Sequence, residues 1–254
     1  MCILFIAIEQ HPDYPVIICA NRDEFHQRPT QSMHWWSEQN ILAGKDLQAG
    51  GTWLGLNANG GFAALTNFRK PESFDTAKRS RGDLVLQALN NPSSNMQQYL
   101  NENAQQYNDF NLVFGQLNQL QAFDSVNKKL INLETGFHSI CNGALDDIWP
   151  KMALGVNKIT DLIKHQKVNI EVLFELMSNQ TTAKQHELPA TGISLEWESL
   201  LSSIFIQSAD YGTRSTAIIL QTRTGDVEVH ERNYTANGKT RNQQHFQINP
   251  KANN

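Results

Sequence analysis

The run Cys2-Ile3-Leu4-Phe5-Ile6-Ala7-Ile8 is apolar on both faces of a strand, with Leu4, Ile6 and Ile8 on one side and Ile3, Phe5 and Ala7 on the other. Side chains alternate across a strand, so a run that is apolar throughout has to be buried on both faces. A sheet with one wet face cannot do that, whereas two stacked sheets covered by helices can. A chain of 254 residues is long enough to bury such a core. No proline- or glycine-rich linker divides it, so one domain is expected over residues 1–234. Residues 235–254, rich in Asn, Gln and Lys, read as a mobile polar tail.

The rest of the chain agrees with a layered α+β fold. Residues 80–89 and 96–107 read as helices, and strands follow at 111–115, 119–123, 129–133 and 137–141, with turns at Asn118 and at Thr135-Gly136. Pro150 suits a first helical position, and Ala153, Val156, Ile159, Leu162 and Ile163 recur at helical spacing. Asn169 is a candidate cap for a helix holding Val172, Leu173, Leu176 and Met177. Strands are expected again at 203–207, 215–222 and 226–232. Residues 24–48 and 180–200 read as loops that shape any site.

Cys2 directly follows Met1. Removal of Met1 leaves a cysteine that carries both a thiol nucleophile and an α-amine able to take its proton, a unit suited to hydrolysing an amide or similar acyl bond. The amine titrates near pH ~8 and the thiol near ~8.5, so neither needs a large shift. The alternative is a small apolar residue opening a buried strand.

A second apolar run, Pro15 to Ala20, ends in Asn21-Arg22-Asp23-Glu24. An antiparallel hairpin centred between Pro12 and Asp13 puts Glu9 opposite Val16 and Cys2 opposite Asp23. Opposed residues lie about 4.5–5.5 Å apart at Cβ, within reach for Asp23 to hold the α-ammonium. In this register Asn21 shares the face of Asp23, and Arg22 points away and reads as structural. A second hairpin is written into residues 50–68, where two strand-length segments flank Asn59-Gly60. Asn67 closes its second strand, placed either to donate to an oxyanion or to turn the chain before Arg69-Lys70-Pro71. Asn142, in Ile140-Cys141-Asn142-Gly143, and Arg214, in Tyr211-Gly212-Thr213-Arg214, sit at the edges of β-like segments, where a site residue and ordinary turn chemistry look alike.

Taken in order, the Cys2 start, Asn-Arg-Asp-Glu at 21–24, Gly-Gly-Thr-Trp-Leu-Gly at 50–55, Leu-Thr-Asn-Phe-Arg at 65–69, Trp-Pro-Lys at 149–151 and Tyr-Gly-Thr-Arg at 211–214 resemble the NRDE family, also called transport and Golgi organisation protein 2-like. That family in turn resembles N-terminal nucleophile hydrolases of the choloylglycine type. The resemblance implies a four-layer αββα sandwich of two mainly antiparallel sheets, with Cys2 as nucleophile and Asp23 on the amine. It implies oxyanion roles for Asn67 and Asn142 and a charge-holding role for Arg214. Asn21, Arg22, Trp35, Trp36 and Trp53 are the expected binding residues, with Trp35 and Trp36 at a pocket mouth. Choloylglycine enzymes carry an arginine just before the second-strand asparagine, where this chain has Ala20.

The resemblance implies either an acyl hydrolase or a binding protein that uses the same cleft for an amphipathic ligand, haem or an acyl compound. No Cys-Pro motif is present to ligate haem, and His34 beside Trp35-Trp36 reads first as a packed surface residue. Glutamine amidotransfer ranks behind both, because no synthase partner domain is visible. A net charge of −4 and a pI near 6.1, with scattered cations, give no field for nucleic acid. No segment reaches the roughly 20 apolar residues of a membrane span, and the first run lacks a basic leader, so a cytoplasmic protein is expected. Three cysteines without C-x-x-C spacing and dispersed histidines predict neither a disulfide framework nor a metal centre, and no resident cofactor is expected.

Overall fold

A computed structural model of the chain describes residues 2–145 and 147–250. Among the described residues thirteen strands form two sheets in which every strand pair is antiparallel. The first sheet takes strands from both ends of the sequence: β1 (Cys2–Ile8), β2 (Val16–Phe25), β10 (Gly136–Ile140), β11 (Tyr211–Gln221), β12 (Val227–Tyr234) and β13 (Thr240–Ile248). Their order is β10-β1-β2-β11-β12-β13. The second sheet runs in sequence order from β3 (Thr30–Trp36) through β4 (Ile41–Asp46), β5 (Leu54–Asn57), β6 (Gly61–Asn67), β7 (Phe110–Gln116) and β8 (Gln119–Asp124) to β9 (Lys129–Asn132).

The core divides as the first strand requires. Leu4, Ile6 and Ile8 join Ile18, Leu54, Leu56, Phe62 and Val113 between the sheets. Ile3, Phe5 and Ala7 face the other way, onto α3 (Pro150–Lys164) and α4 (Ile170–Met177), through Met152, Ile159, Leu173 and Met177. The outer face of the second sheet is covered by α1 (Gly82–Asn90) and α2 (Ser93–Asn103), through Leu84, Val85, Leu89, Met96 and Leu100. A short fifth helix, α5 (Leu195–Leu200), packs near the start of β11. The result is four layers, helix on sheet on sheet on helix, as expected. Among the described residues no helix is long and apolar enough to cross a membrane.

Local signals account for several elements. Asn57 Oδ1 accepts from the N–H groups of Asn59 and Gly61, and Gly60 takes a φ of 80° that closes the β5–β6 turn. Pro150 opens α3, and the Asn169 side chain accepts from Val172 N at 3.0 Å to cap α4.

Four expectations are corrected. The β1–β2 turn closes one residue earlier than expected, through Glu9 N–H to the Pro15 carbonyl at 2.7 Å, with Glu9 in the left-handed region at φ 54°. Ile8 therefore pairs with Val16, and Cys2 lies opposite Arg22, not Asp23. Residues 24–48 are not a loop but mostly the β3–β4 hairpin, and 195–200 are helical. Residues 203–207 are irregular apart from a single bridge from Gln207 to Gly212, because Asn21 takes the Ile204 carbonyl and Thr213 binds the Ile206 N–H. Much of the expected mobile tail is β13, paired with β12 along Val227–Tyr234, and Ile248 reaches the intersheet core. Residues 251–254 of that expectation lie outside the described residues.

Gly155 of α3 faces Phe5 so closely that a Cβ there would sit 2.1 Å from Phe5 Cζ. Phe5 is fully buried in β1 and has nowhere to go. Gly155→Ala should therefore destabilise the protein by about 1–3 kcal/mol through overpacking, outweighing the ~1 kcal/mol that alanine gains in helix propensity. Urea denaturation checks this, and a raised midpoint would show that α3 does not press on β1.

Candidate active site

The one-residue shift in register puts Arg22 and Cys2 on the same side of the first sheet, with Leu4 and Ala20, and puts Asn21 and Asp23 on the opposite side, with Ile3 and Cys19. Asn21 and Asp23 do share a face, as expected, but the face turned toward Cys2 is that of Arg22. Arg22 is thus a wall of the site and not a residue turned away from it.

A cleft of about 340 Å³ opens where the Cys2 end of the first sheet meets the loop before β5. Cys2, Arg22, Asp23, Trp53, Asn67 and Arg214 all line it. The structure therefore brings together six of the ten residues expected from the sequence. Arg22 donates to Thr30 Oγ1 at 3.2 Å and lies 3.5 Å from Asp46, which also accepts from Arg28 at 2.6 Å. Arg214 sits at a bulge in β11 and donates to the carbonyls of Phe25 and Arg28 at 2.7 and 3.1 Å.

Asp23 is 1% exposed. Its Oδ1 accepts from Thr213 Oγ1 at 2.6 Å, and its carbonyl accepts from the Tyr211 hydroxyl at 3.0 Å. Burial pushes its carboxyl above the ordinary range, opposed most strongly by the ammonium of Lys151. Lys151 is itself buried, on the first turn of α3, and donates to the Leu201 carbonyl at 2.8 Å. Burial also pushes the Cys2 thiol up to about 11, offset in part by the charge of the chain's terminal amine and then by that of Arg22 and a backbone hydrogen bond from Asp23.

Asn21 and Asn142 hold the frame of the site. Asn21 Nδ2 donates to the Met177 and Ile204 carbonyls, both at 2.9 Å, and its Oδ1 accepts from Thr216 at 2.6 Å. Asn142 is fully buried and does not line the Cys2 cleft. Its Nδ2 donates to the Asn67 carbonyl at 2.8 Å, and its own carbonyl accepts from Arg69 N–H at 2.7 Å. It faces a second cavity of about 640 Å³ with Arg69 and Trp149. Asn111 ties the same corner together by donating to the Cys141 and Gly143 carbonyls.

Trp35 and Trp36 do not line the cleft, which corrects their expected place at its mouth. Trp36 turns into the core under α1 and α2, where its indole N–H donates to the Ala43 carbonyl at 3.1 Å. Trp35 is exposed on the edge strand β3. Sequence reasoning missed Lys151, although Trp-Pro-Lys is one of the recognised motifs. It also missed Glu231, which reaches the cleft from β12 and accepts from Met33 N–H at 2.8 Å and Asn233 at 2.7 Å. A buried acid at an apolar-alternating position, Val227-x-Val229-x-Glu231, was the available signal.

The family model described as "Transport and Golgi organisation 2" matches residues 1–236. The human Transport and Golgi organization protein 2 homolog is 30% identical over 91% of this chain and 92% of its own length. The bovine homolog is 28% identical over 95% and 96%. Among solved structures, a cysteine-to-alanine mutant of conjugated bile acid hydrolase from Clostridium perfringens superposes with a TM-score of 0.53 over 98% of both chains, at 10% identity. That likeness is one of fold, and it assigns the two sheets and their helices to the N-terminal nucleophile hydrolase architecture.

A thiol at about 11 holds at least a hundredfold less thiolate at pH 8 than a free cysteine near ~8.5. With Met1 retained, alkylation of Cys2 by iodoacetamide should be slow at pH 8 and keep rising about tenfold per pH unit beyond pH 9. Peptide mass mapping of timed reactions reads this directly, and a plateau below pH 9 would show that burial does not govern the thiol.

Proposed function

The chain belongs to the Transport and Golgi organisation 2 family, and we propose that it acts as an N-terminal-cysteine hydrolase on the amide or thioester bond of a small acyl compound. The observation that carries this reading is the position of Cys2, on the wall of a cleft it shares with Arg22, Asp23 and Asn67. Removal of Met1 gives Cys2 a free α-amine, whose ordinary pKa near ~8 suits it to take the thiol proton.

In the proposed reaction the Cys2 sulfur attacks the acyl carbon as the amine takes its proton. Negative charge on the carbonyl oxygen is met by Asn67, which Asn142 holds in place through the Asn67 carbonyl. The tetrahedral intermediate collapses, the leaving amine or thiol takes the proton from the α-ammonium, and a thioester remains on Cys2. Water, giving its proton to the same amine, then attacks the thioester, releases the carboxylic acid and restores the thiol. Asp23, whose charge is felt at Cys2, holds the α-ammonium. Arg22 and Arg214 hold an anionic part of the substrate, a role favoured by the further cations Arg79, Arg81 and Arg241 along the cleft.

A second reading, retention of an amphipathic ligand such as haem or an acyl chain without turnover, is favoured by the same raised thiol, because a buried protonated cysteine is a poor nucleophile.

Comparison of protein with Met1 removed and with Met1 retained separates the two readings. For a hydrolase, removal of Met1 should speed labelling of Cys2 at pH 7.5 by about tenfold or more, and turnover of a thioester or amide panel should vanish in Cys2→Ala. Equal labelling with no turnover would overturn the hydrolase and leave ligand retention, measured by titration with haem and with acyl compounds.

A further inference from the structure

A group of metal-ligating side chains lies away from the cleft, on the opposite face of the first sheet. Strand β12 alternates strictly: Val227 and Val229 face the intersheet core and Glu231 the cleft, so Glu228, His230 and Arg232 face outward. On the neighbouring strand, His245 is the direct cross-strand partner of His230. The two imidazoles stack with centroids 4.3 Å apart and ring planes 16° from parallel. Glu228 lies two residues along on the same face, with its Oε2 3.6 Å from His230 Nε2.

That distance is outside hydrogen-bond range, and His230 Nε2 is buried without a hydrogen-bond partner. One ligand atom from each of the three side chains lies within 4.8 Å of the other two. Tetrahedral ligands at about 2.05 Å from a zinc ion are roughly 3.3 Å apart and each imidazole binds in its own ring plane, so the exposed His245 has to swing its ring out of the stack, and Glu228 to turn, for three donors to meet on one ion. An orphaned ring nitrogen, a second imidazole and a carboxylate form a donor set of the borderline nitrogen-oxygen type that suits Zn²⁺.

We propose that Glu228, His230 and His245 form a binding site for a divalent cation of the zinc class, which clamps the edge strand β13 to β12. The three residues supply three ligands and leave a fourth position for water. The clamp has a structural use: β13 closes one edge of the first sheet, and β12 carries Glu231 into the cleft on its other face. Arg232, on the same outer face, is held by Glu171 at 2.9 Å and stacks over Phe174 at 3.9 Å. Helix α4 thereby holds β12 through Arg232, and on the same face the metal would tie β13 to β12. The proposal is independent of whether Cys2 turns over a substrate.

Titration of the metal-free full-length protein with Zn²⁺, read by isothermal calorimetry and by competition with a chromophoric chelator, tests the site. One equivalent should bind, with a rise in melting temperature on loading. His245→Ala, at an exposed position that leaves the fold intact, should weaken binding tenfold or more, and Glu228→Gln should weaken it several-fold at unchanged apo stability. Absence of binding below about 100 µM overturns the proposal. So does equal affinity in the wild type and both variants, which would place the ion on the cysteines or on scattered histidines.

Discussion

The seam between β2 and β11 joins residues nearly two hundred positions apart, and most of the molecule's order is referred to it. Its pairing runs from Tyr211 opposite Phe25 to Gln221 opposite Val16, with one bulge at Arg214. Thr213 therefore stands beside Asp23 and Thr216 beside Asn21, so two of the three buried polar side chains of the Asn-Arg-Asp-Glu segment are hydrogen-bonded across the seam. A buried carboxylate or amide left unpaired costs several kcal/mol, which makes any other register of these strands expensive. The bulge also turns Arg214 toward the carbonyls of the β2–β3 turn, where it lines the cleft instead of following the pleat.

The recognised motifs divide their work between holding and facing the site. Arg69 stacks on Trp149 at 4.7 Å and pairs with Glu198 at 2.7 Å, with both partners of the ion pair buried. Such a pair contributes little net stability, but losing one member strands the other, so it fixes where α5 sits against the turn after β6. Asn142, Asn111 and Thr66 bind the β6, β7 and β10 ends together through the Cys141, Gly143 and Asn67 carbonyls. Of these contacts, the one to the Asn67 carbonyl leads to a residue that lines the cleft with Cys2. The motif residues that line the cleft, among them Cys2, Arg22, Asp23, Trp53, Asn67 and Arg214, come from five of the six motifs.

Electrostatics in the cleft pull in two directions. Burial favours the neutral forms of Cys2, Asp23 and Glu231, while Lys151, Arg22 and the other cations favour their ionised forms. A site with this balance is sensitive to a single added charge. An α-amine on Cys2 is such a charge, and it arrives with the proton acceptor the thiol lacks.

The sequence by itself determined the layered fold, because a first strand apolar on both faces has to be covered on both. It also determined the β5–β6 hairpin, through Asn57 and Gly60, and the α3 and α4 helices, through Pro150, Asn169 and their apolar spacing. The motifs named Cys2 and five further residues that line its cleft. Tertiary structure alone decided the register that sets Arg22 opposite Cys2, since one left-handed residue at Glu9 moves every partner by one position and no apolar pattern forbids either choice locally. It also decided that 240–248 is a strand, that Asn142 serves Asn67 and not the cleft, and that His230 meets His245. Each of these is a contact between residues far apart in sequence, and periodicity, which compares a residue only with its neighbours along the chain, carries no information about the partner a strand will find.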